Sequence, residues 1–130
     1  MKFNEFNLSE AILKGIEAMG FEEASPIQAE SMAPLLEGKD VIAQAQTGTG
    51  KTAAYGIPML ERVEKKGPLQ GLVLCPTREL CLQVANGLAN LGAYKKGVKI
   101  LPIYGGTSIE RQIRALKGGV QIVVGTPGRV

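Results

Sequence analysis

The stretch Ala45-Gln46-Thr47-Gly48-Thr49-Gly50-Lys51-Thr52 carries the residue types that a polyphosphate site needs. It follows the short apolar run Val41-Ile42-Ala43 and opens a helix-like segment. The order is therefore strand, glycine-rich turn, helix. Its end, Gly-Lys-Thr, fits the phosphate-binding loop pattern G-x-x-x-x-G-K-[ST]. Gly48 and Gly50 can take backbone angles closed to other residues, and they leave no side chain between backbone N–H groups and an anion. Those N–H groups, with the positive end of the following helix, form a nest for phosphates. Lys51 adds a point charge for the outer phosphates, and the Thr52 hydroxyl is a ligand for the magnesium ion that bridges them. Gly-Lys-Thr alone would be a weak signal, since a glycine-rich turn can carry a chance lysine. The full spacing between a β-like run and a helix-like run is what makes it strong. Ala45 stands where the generic pattern has its first glycine.

The elements that must position this loop fit in one compact domain of 130 residues. Hydrophobic residues make up 45% and charged residues 21%, the balance of a soluble globular chain. No apolar run is long enough to span a membrane and no signal-peptide pattern opens the chain, so a cytoplasmic protein with no membrane partner is expected. The net charge of +3 is compatible with a polyanion partner without demanding one. Cys75 and Cys81 read as reduced packing residues. Histidine is absent, which excludes histidine triads, histidine-ligated metals and histidine acid–base chemistry.

Phe3, Phe6 and Leu8 lead into a helix with Ser9 as N-cap, Ile12, Leu13, Ile16 and Met19 at helical spacing, and Gly20 as its stop. Gly15 weakens that helix. Ser25-Pro26-Ile27-Gln28 opens the next one. Ser25 at N-cap, Pro26 at the first position and Gln28 at the third make a capping box, which by itself accounts for Gln28. Pro34 is expected to break or kink this helix, and residues 37–40 to turn. Residues 40–45 read as the first strand, and Thr52 to about Lys66 as the helix after it, with Pro58 a kink point and Ala53, Ala54, Ile57, Leu60 and Val63 on one side.

Gly71 to Cys75 is a continuous apolar run, expected of a strand buried on both faces. A helix follows with Leu80, Val84, Leu88 and Leu91 in register. Val98 to Tyr104 reads as a strand ending at Gly105-Gly106-Thr107, and Ser108 caps a short basic helix with Arg111, Arg114 and Lys117. Residues 121–124 read as another strand, ending at Gly125-Thr126-Pro127-Gly128-Arg129.

Alternating strands and helices predict an α/β fold, a parallel sheet with helices on both faces. Ligands of such sheets bind beyond the carboxyl ends of the strands. Gly48 to Thr52, Pro76-Thr77-Arg78, Gly105-Gly106 and Thr126-Pro127-Gly128-Arg129 all fall there. Each offers N–H groups, hydroxyls or guanidinium groups to phosphate, and one nucleotide cannot use all of them. A second polyanion, a nucleic-acid backbone held without base reading, is the economical explanation. Taken singly, each cluster is also an ordinary turn after a strand; their joint occurrence carries the argument.

With these residues in view, the chain resembles the first RecA-like domain of a DEAD-box ATP-dependent RNA helicase. Gly20-Phe21 with Ser25-Pro26-Ile27-Gln28 is similar to the family's Q motif, with Phe3 as its upstream aromatic. A-Q-T-G-T-G-K-T matches the family's form of the phosphate loop, including its alanine. P-T-R-E-L at Pro76 to Leu80 resembles motif Ia, Gly105-Gly106 the glycine doublet, and T-P-G-R at Thr126 to Arg129 motif Ib. These motifs come in family order along essentially the whole chain. The resemblance implies a partly complete RecA-like P-loop NTPase fold, with residues 1–38 a Q-motif lead-in and 39–130 the ATP-binding part of one structural domain. It implies that Gln28 reads the adenine edge, that Phe21 packs on the base, and that Ser25 and residues 45–52 complete the ATP site. Lys51 and Thr52 would be its catalytic residues and Thr52 its Mg2+ ligand. Pro76, Thr77, Arg78, Gly105, Gly106, Thr126, Pro127, Gly128 and Arg129 would hold the RNA backbone. Ala24 departs from the family's usual proline, which implies a looser loop.

No D-E-A-D sequence occurs, and Asp40 is the only aspartate. The resemblance places the acidic pair, the S-A-T segment and a second RecA-like domain with arginine fingers after Val130. Without them hydrolysis is expected to be negligible, and the chain is expected to bind nucleotide weakly and unwind nothing. Strands missing near the phosphate-loop strand would leave unpaired edges open to an intermolecular contact. Two other classes are distinguishable. A different P-loop NTPase, such as a DNA translocase or repair helicase, would bind ATP and GTP alike. A non-catalytic RNA-binding module would bind RNA regardless of nucleotide, with a steep salt slope.

Overall fold

The computed structural model describes residues 2–44, 50–106 and 108–130. Ala45, Gln46, Thr47, Gly48, Thr49 and Thr107 lie outside the described residues. The chain divides into two compact units, Met1–Arg62 with Asn90–Lys95, and Val63–Ala89 with Lys96–Val130.

The first unit is helical. A 3-10 turn, Phe3–Glu5, buries Phe3, and the chain then runs through α1 (Glu10–Ala18), α2 (Pro26–Leu36) and α3 (Lys51–Arg62). Ser9 occupies the N-cap of α1, but its side chain does not cap it. Its N–H and hydroxyl both donate to the Glu61 carboxylate, at 2.7 and 2.9 Å. The start of α1 is thereby tied to the end of α3. Gly15, weakening on propensity alone, has a packing reason. A Cβ there would collide with the backbone carbonyl of Leu91, so only glycine lets the chain approach so closely.

The capping box at Ser25 forms as expected. Pro34 does not break α2, which runs on to Leu36. A proline close to the end of a helix forfeits one backbone hydrogen bond and little else, because the turn is terminating anyway. Gly38 then turns the chain at φ +87°. In α3 the expected face, Ala53, Ala54, Ile57 and Leu60, is buried, and Ile57 and Leu60, both fully buried, each stabilise by about 1.5–3 kcal/mol. Pro58 is accommodated inside α3 without ending it. The helix ends at Arg62 rather than near Lys66. Lys95 helps finish it by donating from Nζ to the carbonyls of Leu60 and Glu61, a cation on orphan carbonyls at a helix C-terminus.

The strand expected over residues 40–45 is corrected for its described part. Residues 40–44 form no regular element, and Ile42 is fully exposed. A strand exists by pairing its backbone groups with a neighbour. Among the described residues no ladder reaches this segment.

The second unit holds a parallel sheet of β1 (Gly71–Leu74), β2 (Ile100–Ile103) and β3 (Ile122–Gly125), in the order β1-β3-β2. The last strand inserts between the other two, with Leu74 and Ile103 both opposite Gly125. Central β3 is buried throughout. Edge β1 is not buried on both faces as its apolar run suggested: Leu72 is 52% and Leu74 57% exposed. A parallel edge strand keeps only as much cover as the elements packed on it provide. The intervening helices are α4 (Arg78–Leu91) and α5 (Ile109–Lys117). In α4, Val84 and Leu88 are buried as expected, but Leu80 is exposed and Cys81 takes the buried place one residue on. Ser108 caps α5 by accepting the Arg111 N–H at 3.4 Å. At the amino ends of the strands the buried Gln121 ties the unit together, accepting the Lys99 N–H and donating to the Gly67 carbonyl.

Candidate functional site

In the first unit, α2 and the start of α3 bring Ser25, Gln28 and Gly50 together. Gln28 is 4% exposed. Its Oε1 accepts the Ser25 N–H at 2.9 Å, and its Nε2 donates to the Gly50 carbonyl at 3.1 Å. Gly50 has φ +85°, and a Cβ there would strike the Gln28 amide. The glycine that closes the phosphate-loop pattern is thus required twice, by its backbone angle and by its neighbour. Lys51 and Thr52 follow directly as the opening residues of α3, with Lys51 exposed. A lysine ammonium and a threonine hydroxyl at a helix N-terminus are a donor set suited to phosphate and magnesium. A largely apolar cavity of about 310 Å³ adjoins this start, lined by Ile27, Val41, Ala43, Lys51 and Tyr55 among others. Phe21 lies apart from the glutamine's hydrogen bonds and packs on Phe3, ring centroids 6.3 Å apart.

Of the expected phosphate-loop residues, Ala45, Gln46, Thr47, Gly48 and Thr49 lie outside the described residues, so the described site comprises Ser25, Gln28, Gly50, Lys51 and Thr52.

In the second unit the parallel register sends the loops after all strands to the same rim. Pro76-Thr77-Arg78 follows β1, Gly105-Gly106 follows β2, and Thr126 to Arg129 follows β3. Thr77 caps α4, its Oγ1 accepting the Leu80 N–H at 3.2 Å. Gly106 has φ +85°, with Arg78 alongside. Thr126 donates its N–H to the Ile103 carbonyl at 3.0 Å, and Arg129 donates its N–H to the Thr126 carbonyl at 3.1 Å, closing a turn. Gly125 sits where a Cβ would collide with the Val130 side chain.

Sequence reasoning missed two residues that join these loops. The Arg78 guanidinium carbon lies 4.7 Å from the Tyr104 ring centroid, within cation–π range. Gln112, 8% exposed, donates from Nε2 to the Tyr104 carbonyl at 3.0 Å. Its Oε1 accepts from Arg129 Nη1 at 3.2 Å. A readable signal existed: Gln112 falls among Ile109, Ile113 and Leu116, so a polar residue interrupts an apolar stripe.

Beyond these loops, the Cys81 thiol is held above its ordinary value, first by burial and then by its neighbour Cys75, through both charge and a hydrogen bond. No group of metal-ligating side chains occurs among the described residues, and none of the described helices is long and apolar enough to cross a membrane.

A sequence model of the family described as DEAD/DEAH box helicase matches residues 25–130. The chain is 57% identical over 129 residues to the DEAD-box ATP-dependent RNA helicase CshA of Bacillus cereus, covering 98% of this chain and 24% of that protein. The CshA of Streptococcus pneumoniae is 58% identical, over 100% of this chain and 25% of that one. The chain therefore spans about a quarter of the length of these relatives. A solved DEAD box protein from the hyperthermophile Methanococcus jannaschii superposes with TM-score 0.94 at 46% identity, covering 99% of this chain and 35% of that one. An ATP-dependent RNA helicase structure from Sulfolobus tokodaii, itself described as hypothetical, gives TM-score 0.84 at 40% identity, over 94% of this chain and 35% of that one.

Proposed function

This chain belongs to the DEAD/DEAH box helicase family, and on that premise we propose that it is the ATP-recognising and RNA-gripping part of an ATP-dependent RNA helicase. One observation carries the nucleotide half: Gln28 hydrogen-bonds at once to the Ser25 N–H and to the Gly50 carbonyl. An amide holds a second acceptor lone pair and a second donor hydrogen. Gln28 can therefore keep both partners and still pair with the adenine edge, while Phe21 supplies apolar surface for the base. Ser25 and residues 45–52 form the rest of the ATP site, Lys51 drawing in the outer phosphates and the Thr52 hydroxyl holding Mg2+. When bound, ATP with its magnesium supplies the phosphoryl chemistry. The residues here bind, orient and neutralise it.

The RNA half rests on the shared rim of the sheet. Pro76, Thr77 and Arg78, Gly105 and Gly106, and Thr126 to Arg129 offer hydroxyls, N–H groups and guanidinium groups to a phosphate backbone, with no base code. Hydrolysis and duplex separation belong to the longer protein, in which a second RecA-like domain closes on this one in the cytoplasm. The outer edge of β1, with Leu72 and Leu74 exposed beside it, is a pairing surface for another copy of the chain.

The reading is tested by titrating ATP with magnesium, and a labelled single-stranded RNA, into the chain and into Lys51→Ala. ATP binding lost in Lys51→Ala, with RNA binding kept, is the expected pattern. ATP affinity that ignores Lys51 would overturn the phosphate-loop assignment.

A further inference from the structure

Two arginines of the proposed RNA surface are held by side chains outside every motif named above. Arg78 lies over the Tyr104 ring. Arg129 donates to Gln112, and Gln112 donates to the Tyr104 carbonyl. The path from the loop after β1 to the loop after β3 therefore runs Arg78–Tyr104–Gln112–Arg129, through the residue that precedes Gly105-Gly106. An arginine side chain is long and loses rotamer freedom when it grips a phosphate. One held beforehand binds with less loss. Gln112 is also buried, and a buried amide with both ends engaged fixes its partners in a set geometry. The bond to Gln112 uses one of the five N–H donors that a guanidinium carries, so it orients Arg129 without exhausting it.

We propose that Tyr104 and Gln112 are positioning residues that preorganise Arg78 and Arg129 for an RNA phosphate backbone, so that the three loops act as one grip. This rests on the RNA-binding reading above. An apolar core glutamine would have a different signature: it would matter for stability and not for the number of phosphates neutralised.

The test is fluorescence anisotropy with a short fluorescein-labelled polyuridine strand, over a potassium chloride series. It compares the unmodified chain, Gln112→Met, Arg129→Ala and the double variant. Methionine keeps the volume and removes both hydrogen bonds. Gln112→Met is expected to weaken RNA binding about tenfold and to lower the slope of log affinity against log salt by about 0.7, the loss of one phosphate on a single strand. The double variant is expected to bind no more weakly than Arg129→Ala, because Gln112 acts through Arg129. An unchanged slope, or effects that multiply, would overturn the proposal. Circular dichroism melting of the same samples reports whether the variant is folded. If Gln112→Met does not fold, Tyr104→Leu takes its place. It removes the ring against Arg78 and keeps the backbone carbonyl that Gln112 reaches. Loss of slope supports the proposal and a retained slope overturns it. Failure of the unmodified chain to bind RNA would overturn the RNA reading and this proposal together. Binding indifferent to Gln112 overturns the proposal alone.

Discussion

The Gln28 side chain donates to the Gly50 carbonyl at 3.1 Å, joining the residue proposed to read the base to the last glycine of the phosphate-loop pattern. The same amide accepts the Ser25 N–H. Its local role as a capping partner and its proposed role toward adenine therefore use one orientation of one side chain. The cap holds the amide in place, and the amide holds Gly50.

Gly50→Ala tests that contact from the other side. A Cβ would strike the Gln28 amide at a backbone angle of φ +85°, where an L-residue costs about 1–2 kcal/mol before any collision. The expected result is a drop in ATP affinity of tenfold or more, with α2 destabilised. Calorimetric titration checks the first and circular dichroism melting the second. Unchanged affinity would mean that the contact is dispensable.

Gly15→Ala reverses the usual sign of a helix substitution. Alanine should stabilise a helix interior by about 1 kcal/mol. Here the added Cβ meets the Leu91 backbone carbonyl, and backbone cannot step aside as a side chain can. A net loss of about 1–3 kcal/mol is expected, as for overpacking elsewhere, read from the urea midpoint. A gain in stability would contradict the packing described.

Cys81 gives the chain a pH dependence on the alkaline side. Burial raises the folded thiol, so the native state keeps its proton at pH values where the unfolded chain, with a thiol near about 8.5, has lost it. The native state then binds more protons, and stability falls as pH rises. The contribution is complete below the unfolded value and is lost between it and the folded one. Urea midpoints should decline as pH rises through the unfolded thiol's range, above about 8.5, more steeply for the unmodified chain than for Cys81→Ala. Parallel slopes would contradict this.

The edge of β1 leads to a prediction about association. Leu72 and Leu74 are exposed beside an edge that pairs with no strand among the described residues, a template for another chain. The chain is expected to self-associate as its concentration rises, and the double variant Leu72→Lys with Leu74→Lys to remain monomeric, by sedimentation velocity. A monomeric unmodified chain would contradict this.

What could be read in advance followed from local rules. The capping box at Ser25, the apolar face of α3 and the Ser108 cap depend on neighbours within a turn or two, and all appear in the structure. The errors arose where distant partners decide. Residues 40–44 have strand composition, but a ladder needs a second strand and periodicity cannot supply one. The run from Gly71 to Cys75 is apolar throughout, yet how much of it is buried depends on what covers an edge. Gly15 looked like a weakness until Leu91 was placed against it. At the site, Gln28, Gly50, Arg78 and Arg129 were legible because motif spacing names them. Gln112 was marked only as a polar break in the Ile109, Ile113 and Leu116 stripe; its partners, Tyr104 and Arg129, come from the two loops that it touches.

The central claim is that this chain recognises adenine nucleotides through Gln28 and the loop closed by Gly50, Lys51 and Thr52. Its most direct test is calorimetric titration of ATP and GTP, each with magnesium, into the unmodified chain and into Gln28→Ala. The account predicts that the unmodified chain binds ATP in preference to GTP and that Gln28→Ala loses the preference. Equal binding of ATP and GTP by the unmodified chain, or a preference that survives in Gln28→Ala, would contradict it.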